Sequence, residues 1–144
     1  EAKQAIAEGA SEIDMVINLG DAKQGDFHSI TEEIKALKAV CGDKILKVII
    51  EACFLTNEEK IELCHCVTNG GADFIKTSTG FGSGGATLED VQLFKKYIGP
   101  SVQIKAAGGI RSVEAMKAYI EAGCTRIGAS AAVGLLKNRL NETV

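Results

Sequence analysis

Two lysines and one aspartate have the types and spacing that carbonyl chemistry would use. Lys76 closes the apolar pair Phe74-Ile75 and is followed at once by Thr77, Ser78, Thr79 and Gly80. An amine drawn into an apolar layer loses hydration, so its pKa falls and the neutral form becomes a nucleophile able to form a Schiff base with a carbonyl. Lys105 ends another apolar run about one βα unit later. If the two lysines face each other, each disfavours the other's charge, and a charged Lys105 would keep Lys76 neutral. Imine formation loses water, and turning an enamine into an imine puts a proton on carbon, so both steps need a positioned acid/base pair. Asp14 and Lys105 are the candidates. The alternative is a Lys-Asp-Lys ion-pair cluster of structural role, since buried charges are normally paired.

Two glycine-rich turns add a second kind of chemistry. Gly108-Gly109-Ile110-Arg111-Ser112 and Gly128-Ala129-Ser130-Ala131 each lie between a strand and a helix, where free backbone N–H groups at a helix N-terminus favour an anion. Gly80 and residues 82–85 would close the other side. Any one of these glycines is equally explained by a tight turn. Lys47 and Glu51 fall on one face of their strand and read as supporting residues or as a cross-strand ion pair. Thr77, Ser78 and Thr79 would order a water or a substrate hydroxyl, or else cap the strand end. Cys64-His65-Cys66 has no second ligand pair and reads as ordinary helix residues, so no metal is expected. His28 has no serine or cysteine partner at a spacing that would suggest a nucleophile triad.

The elements that must hold these residues alternate along the chain. Residues 1–8 read as a helix; 12–18 as a strand with Ile13, Met15 and Ile17 on one face and Asp14, Val16 and Asn18 on the other. Phe27, Ile30, Ile34 and Leu37 recur at helical spacing through Cys41. Residues 44–51 form a strand, and Thr56 with Glu59 opens a helix through a capping box, carrying Ile61, Cys64 and Val67. After the strand at 73–78, Thr87 caps a helix with Leu88, Val91 and Phe94 inward. Residues 101–107 are a strand, Ser112 caps a helix bearing Val113, Met116 and Ile120, and a strand at 126–130 precedes a helix around 132–140.

Three segments superimpose, those beginning at Gly9, Gly71 and Gly123, each with isoleucine four places on. Asp14, Lys76 and Gly128 then occupy equivalent places on alternate strands and should share one interior side-chain layer of a barrel, the alternative being that helix-to-strand junctions simply favour Gly and Ile. A doubly wound sheet is the rival architecture, but it concentrates its site at one switch point, whereas here polar residues end every strand (Asn18, Glu51, Lys76, Lys105, Ser130). The fold expected is therefore α/β, a (β/α)8 TIM barrel. Only five strands are legible, so residues 1–144 are expected to be the C-terminal portion of a single barrel domain, without its N-terminal strands.

Composition narrows the setting. With 46% hydrophobic and 24% charged residues in 144, the chain reads as an ordinary folded domain. A net charge of -3 with scattered cations argues against a nucleic-acid footprint, and no apolar run is long enough to span a bilayer. No leader is recognisable, and five cysteines, an odd number, suit a reducing compartment, so the expected location is the cytoplasm.

The segments FIKTSTGFG, KAAGGIR and RIGAS, with EIDMVIN and KVIIE upstream, together resemble deoxyribose-phosphate aldolase, from Glu1 to about Leu136. The resemblance implies a class I aldolase that reversibly cleaves 2-deoxy-D-ribose 5-phosphate to D-glyceraldehyde 3-phosphate and acetaldehyde, in deoxyribonucleotide catabolism, with no cofactor. It implies Lys76 as the Schiff-base lysine, Lys105 and Asp14 in proton transfer, and a polar contribution from the strand of Lys47 and Glu51. The resembled family often carries a second serine where Ala131 stands, so one hydroxyl contact would be missing here. Another Schiff-base aldolase or transaldolase is the nearest alternative. A non-catalytic barrel fragment that persists only as a partner-bound or swapped assembly, such as a homodimer, is the alternative from another class, because unpaired sheet edges invite association.

Overall fold

Strand alternation sorts this chain into an inner and an outer face, and the computed structural model, which describes residues 1–141, shows both. Five parallel strands, β1 (Glu12–Val16), β2 (Ile45–Ile49), β3 (Phe74–Lys76), β4 (Gln103–Ala107) and β5 (Arg126–Gly128), pair in sequence order. Helices α1 (Ala2–Ala7), α2 (Leu19–Gln24), α3 (Phe27–Cys41), α4 (Asn57–Asn69), α5 (Leu88–Tyr97), α6 (Val113–Glu121) and α7 (Ala132–Asn141) complete it, with a 3-10 turn at Ala52–Phe54. Leu46, Val48, Ile50, Ile75, Ile104 and Ala106 leave the sheet on one side and are buried with Ile30, Ile34, Leu63, Val67, Val91 and Phe94 of the helices. Each such large side chain contributes roughly 1.5–3 kcal/mol on burial.

The predicted caps form. Thr56 and Glu59 make a reciprocal capping box, Thr87 accepts from the Asp90 N–H, and Ser112 accepts from the Ala115 N–H. Three expectations are corrected. Asn18 does not end a strand: its side chain accepts from the N–H groups of Gly20 and Asp21 and starts α2, a helix hidden in a Gly-containing stretch. Leu88 is 37% exposed, and Ile120 is 57% exposed, because Tyr119 takes the inward place and donates its hydroxyl to the Ala86 carbonyl at 2.7 Å. Ile120 instead lines an apolar groove beside β5 with Val113, Met116 and Leu136.

The inner face carries the charges, and the strand register shows how they stack. Asp14 stands opposite Lys47; Lys76 stands opposite Ile49, two residues further along β2. Lys105 stands opposite Lys76, and Gly128 opposite Ala107, two residues beyond Lys105. From Asp14 to Lys76 to Gly128 the position thus climbs one residue per strand, the stagger of a (β/α)8 barrel, whose shear equals its strand number. These three therefore share a layer, as expected from their equivalent places in the sequence. Lys47 and Lys105 form the layer below, and Glu12, Phe74 and Arg126 the one below that. In this lowest layer Arg126 bonds Glu12 across the sheet and lies over the Phe74 ring at 4.9 Å. The chain is thus five successive βα units of a TIM-barrel fold. Among the described residues β1 and β5 each have one strand neighbour.

Candidate active site

At the C-terminal ends of the strands, the carboxylate of Asp14 gathers three lysines. Its Oδ1 accepts from Lys47 Nζ at 2.7 Å, and its Oδ2 accepts from Lys76 Nζ at 2.7 Å and lies 3.9 Å from Lys105 Nζ. Lys47 is buried and also pairs with Glu12 at 2.7 Å. The geometry follows from the layers: Asp14 and Lys76 are in one, Lys47 and Lys105 reach up from the next.

Protonation follows the same contacts. Burial pushes the Asp14 carboxyl up, but the hydrogen bonds from Lys47 and Lys76 outweigh it and leave it below the usual carboxylate range. Burial pulls Lys47 down, yet its bonds to Asp14 and Glu12 raise it above an ordinary lysine. Lys105 goes the other way: burial first, then the neighbouring Lys76 ammonium, hold it below the ordinary lysine value against the pull of Asp14. Lys76 is thus the lysine that bonds Asp14 Oδ2, and Lys105 is the amine held down.

Beside this cluster opens a cleft of about 370 Å³. It brings together Lys76, Thr79, Gly80, Lys105, Gly108, Gly109, Arg111, Gly128 and Ser130, nine of the residues singled out from the sequence. Gly108 and Gly109 have φ of 90° and 74°, left-handed values that favour glycine, and they turn the chain from β4 toward α6. The first-turn N–H groups of α6 and α7 face this end of the sheet by virtue of helix polarity. Arg111 is exposed at the rim and has no ion pair among the described residues. Gly128 leaves the interior open above Lys105: a Cβ there would lie 3.4 Å from Lys105 Cε and 3.1 Å from the Ala107 Cβ.

Other sequence candidates lie outside the cleft. Thr77 is fully buried, and its hydroxyl donates to the Ala107 carbonyl and accepts from the Ala107 N–H, both at 3.1 Å, so it ties β3 to β4. Ser78 is fully buried, its Oγ without a partner among the described residues. Glu51 is buried but does not face Lys47; alternation breaks because it adopts a φ of 51°, and its carboxylate accepts from Thr79 instead. Lys47 and Glu51 are therefore not an ion pair. Of the cleft wall, sequence reasoning missed Ala107, while Ile110 and Ala129 lie within the two turns it singled out. For Ala107 the signal was available, since it lies two residues beyond Lys105 on the same face of β4. Cys64 and Cys66 are buried, while His65 is exposed and meets Tyr97 edge-on. Burial pushes the Cys64 thiol up to about 12, far from a reactive thiolate.

Parallel βα units with a lysine-carboxylate-lysine cluster and a glycine-walled cleft at their C-terminal ends place the chain in the class of TIM-barrel folds with a polar strand-end site. A family model described as DeoC/LacD family aldolase matches residues 1–139, and the chain belongs to that family. It is 65% identical over 137 residues to the deoxyribose-phosphate aldolase of Clostridium botulinum (strain Eklund 17B / Type B), covering 95% of this chain and 62% of that protein. To the deoxyribose-phosphate aldolase of Streptococcus pyogenes serotype M28 (strain MGAS6180) it is 57% identical over 143 residues, covering 99% of this chain and 64% of the relative. The chain thus spans somewhat under two thirds of the length of these relatives. Among solved structures, the aldolase QR15 superposes with a TM-score of 0.92 at 38% identity, over 99% of this chain and 64% of that one. The deoxyribose phosphate aldolase of Aeropyrum pernix, described as tetrameric, superposes with a TM-score of 0.81 at 29% identity, over 99% of this chain and 60% of that one.

Proposed function

We propose that the chain carries the catalytic half of a class I aldolase that reversibly cleaves 2-deoxy-D-ribose 5-phosphate to D-glyceraldehyde 3-phosphate and acetaldehyde. The observation that carries this reading is the single oxygen, Asp14 Oδ2, within 2.7 Å of Lys76 Nζ and 3.9 Å of Lys105 Nζ, the two lysines that line the cleft. Lys76 Nζ adds to the aldehyde carbon of the open-chain sugar, and the carbinolamine loses water to leave a protonated imine. The hydroxyl on carbon 3 gives up its proton, the bond between carbons 2 and 3 breaks, and its electron pair moves into the imine to form an enamine. Glyceraldehyde 3-phosphate departs. A proton returned to carbon 2 regenerates an imine, and water releases acetaldehyde and free Lys76. The proton donors and acceptors are Asp14 and Lys105, the latter suited to trade a proton because its pKa is held down. The phosphate is assigned to the turns at Gly108-Gly109 and Gly128-Ala129-Ser130 with Arg111, and Thr79 and Gly80 to the opposite wall. A phosphorylated sugar and a two-carbon aldehyde are thus the small-molecule partners. Five cysteines, none in a disulfide, fit a reducing compartment such as the cytoplasm; among the described residues no helix is long and apolar enough to cross a membrane.

Residues 1–144 are proposed as one portion of a single barrel domain, further βα units covering the edges of β1 and β5 and the apolar groove by Ile120. A second copy of the chain covering the same edges is the competing reading, and size-exclusion mass measured with turnover separates the two. The chemistry is tested by borohydride reduction in the presence of acetaldehyde, followed by peptide mapping. A two-carbon adduct on Lys76 is the expected result, and its appearance only on other lysines refutes the assignment.

A further inference from the structure

We propose that Glu51 is a positioning residue for the sugar-phosphate side of the cleft: it latches the loop after β3, so that Thr79 and Gly80 stand in the cleft wall. This rests on the aldolase reading. Ile50 and Ala52, on either side of Glu51, donate their N–H groups to the successive carbonyls of Lys76 and Thr77, at 3.1 and 2.9 Å. Serving two consecutive acceptors forces the residue between them into the left-handed region, with φ 51° and ψ 61°, the one non-glycine residue with positive φ among those described. Such backbone is retained where the surroundings over-determine it, and it clusters at functional sites. The twist swings the carboxylate off the inner face of β2 and into the loop. There it is buried and has no cationic partner among the described residues. Its compensation is local: it accepts the Thr79 N–H at 3.1 Å and the Thr79 hydroxyl, whose oxygen in turn accepts the Phe81 N–H at 3.1 Å. The loop then presses on its neighbours through glycines. A Cβ on Gly82 would lie 3.3 Å from the Glu51 carboxyl, and one on Gly85 would overlap the Gly108 carbonyl, to which the Ala86 N–H donates at 3.1 Å. Glu51 therefore connects through Thr79 to one wall of the cleft and through the loop to the Gly108 turn on the other, while making no contact with Lys76, Lys105 or Asp14 among its hydrogen bonds.

The test is Glu51→Gln, which keeps the shape but replaces one acceptor oxygen with a donor facing the donors of Thr79. Expected is a KM for 2-deoxyribose 5-phosphate raised about tenfold or more, the worth of one charge-assisted hydrogen bond, with borohydride trapping of acetaldehyde on Lys76 within about twofold of wild type. Thr79→Val should reproduce the defect, Thr79→Ser, which keeps the hydroxyl, should show a markedly smaller one, and the double variant Glu51→Gln, Thr79→Val should be no worse than either single one. Amide exchange across residues 79–86, which is read without turnover, should quicken in Glu51→Gln. Unchanged KM with lowered thermal stability, additive defects, or unaltered exchange in the loop would each overturn the role. Failure of the aldolase reading looks different: wild type then gives no adduct on Lys76, and loop exchange alone decides whether the latch exists.

Discussion

Changing Asp14 to Asn (Asp14→Asn) removes one negative charge from among three lysines without altering the volume of the side chain. The carboxylate stands 2.7 Å from two of the ammonium groups and 3.9 Å from the third. At an effective dielectric near 20, a unit pair about 4 Å apart interacts by roughly 4 kcal/mol before screening. Two effects reduce that figure. About 32% of the Asp14 side chain meets solvent, and Lys105, already held down by burial and by Lys76, can release its proton when the carboxylate is gone. Breaking a fully buried pair costs about 3–5 kcal/mol and an exposed one under about 1, so a loss near 2 kcal/mol is expected here. For a chain of this length that is a fall in Tm of roughly 6–8 °C. The sign with pH follows from the depressed carboxyl pKa. Its stabilisation is present above the unfolded value near 4 and is lost as pH falls through the lower folded value. The gap in urea midpoint between wild type and Asp14→Asn should thus be full at pH 7 and should close in acid. A gap of the same size at pH 7 and below the folded carboxyl pKa, or no gap at neutral pH, would refute the charge-cluster account.

The lysine held down by its surroundings gives the opposite sign. Lys105→Met should abolish turnover yet raise Tm at pH 7, and the gain should fade toward pH ~10.5 as wild-type Lys105 loses its charge in the folded state first; an unchanged or lower Tm at neutral pH would count against its depressed pKa. Gly85→Ala places a methyl against the Gly108 carbonyl and should cost about 1–3 kcal/mol in stability while displacing the loop from the cleft, seen as a rise in KM. Wild-type kinetics in that variant would show that the close approach is unimportant.

Much of the arrangement was readable because it rests on local chemistry. Thr56, Thr87 and Ser112 start helices where their side chains bond an N–H of the first turn, and the apolar alternation of β1 to β5 marks the helix-facing side of the sheet. Asp14, Lys76 and Gly128 were placed together from repeat position alone, since the barrel stagger converts equivalent strand positions into a shared layer. What escaped depends on contacts between distant segments. The polarity of Glu51 was visible, but its direction was not, because two backbone donors reaching for successive carbonyls of another strand reverse it. Tyr119 displaced Ile120 from the interior because its hydroxyl finds a carbonyl 33 residues earlier in the chain. Thr77 was a candidate for substrate contact until its hydroxyl proved to be occupied on both sides by Ala107.

That last arrangement bears on how such a protein could change. With its hydroxyl serving as a rung between β3 and β4, Thr77 lies beside Lys76, and its own N–H reaches the Lys105 carbonyl at 3.2 Å. The strand positions from which the two lysine side chains start are thereby fixed by the sheet backbone. Under the function proposed above, substitutions in the surrounding turns reshape the cleft wall while leaving these strand positions in place, whereas substitutions within the two strands shift the base of both lysines.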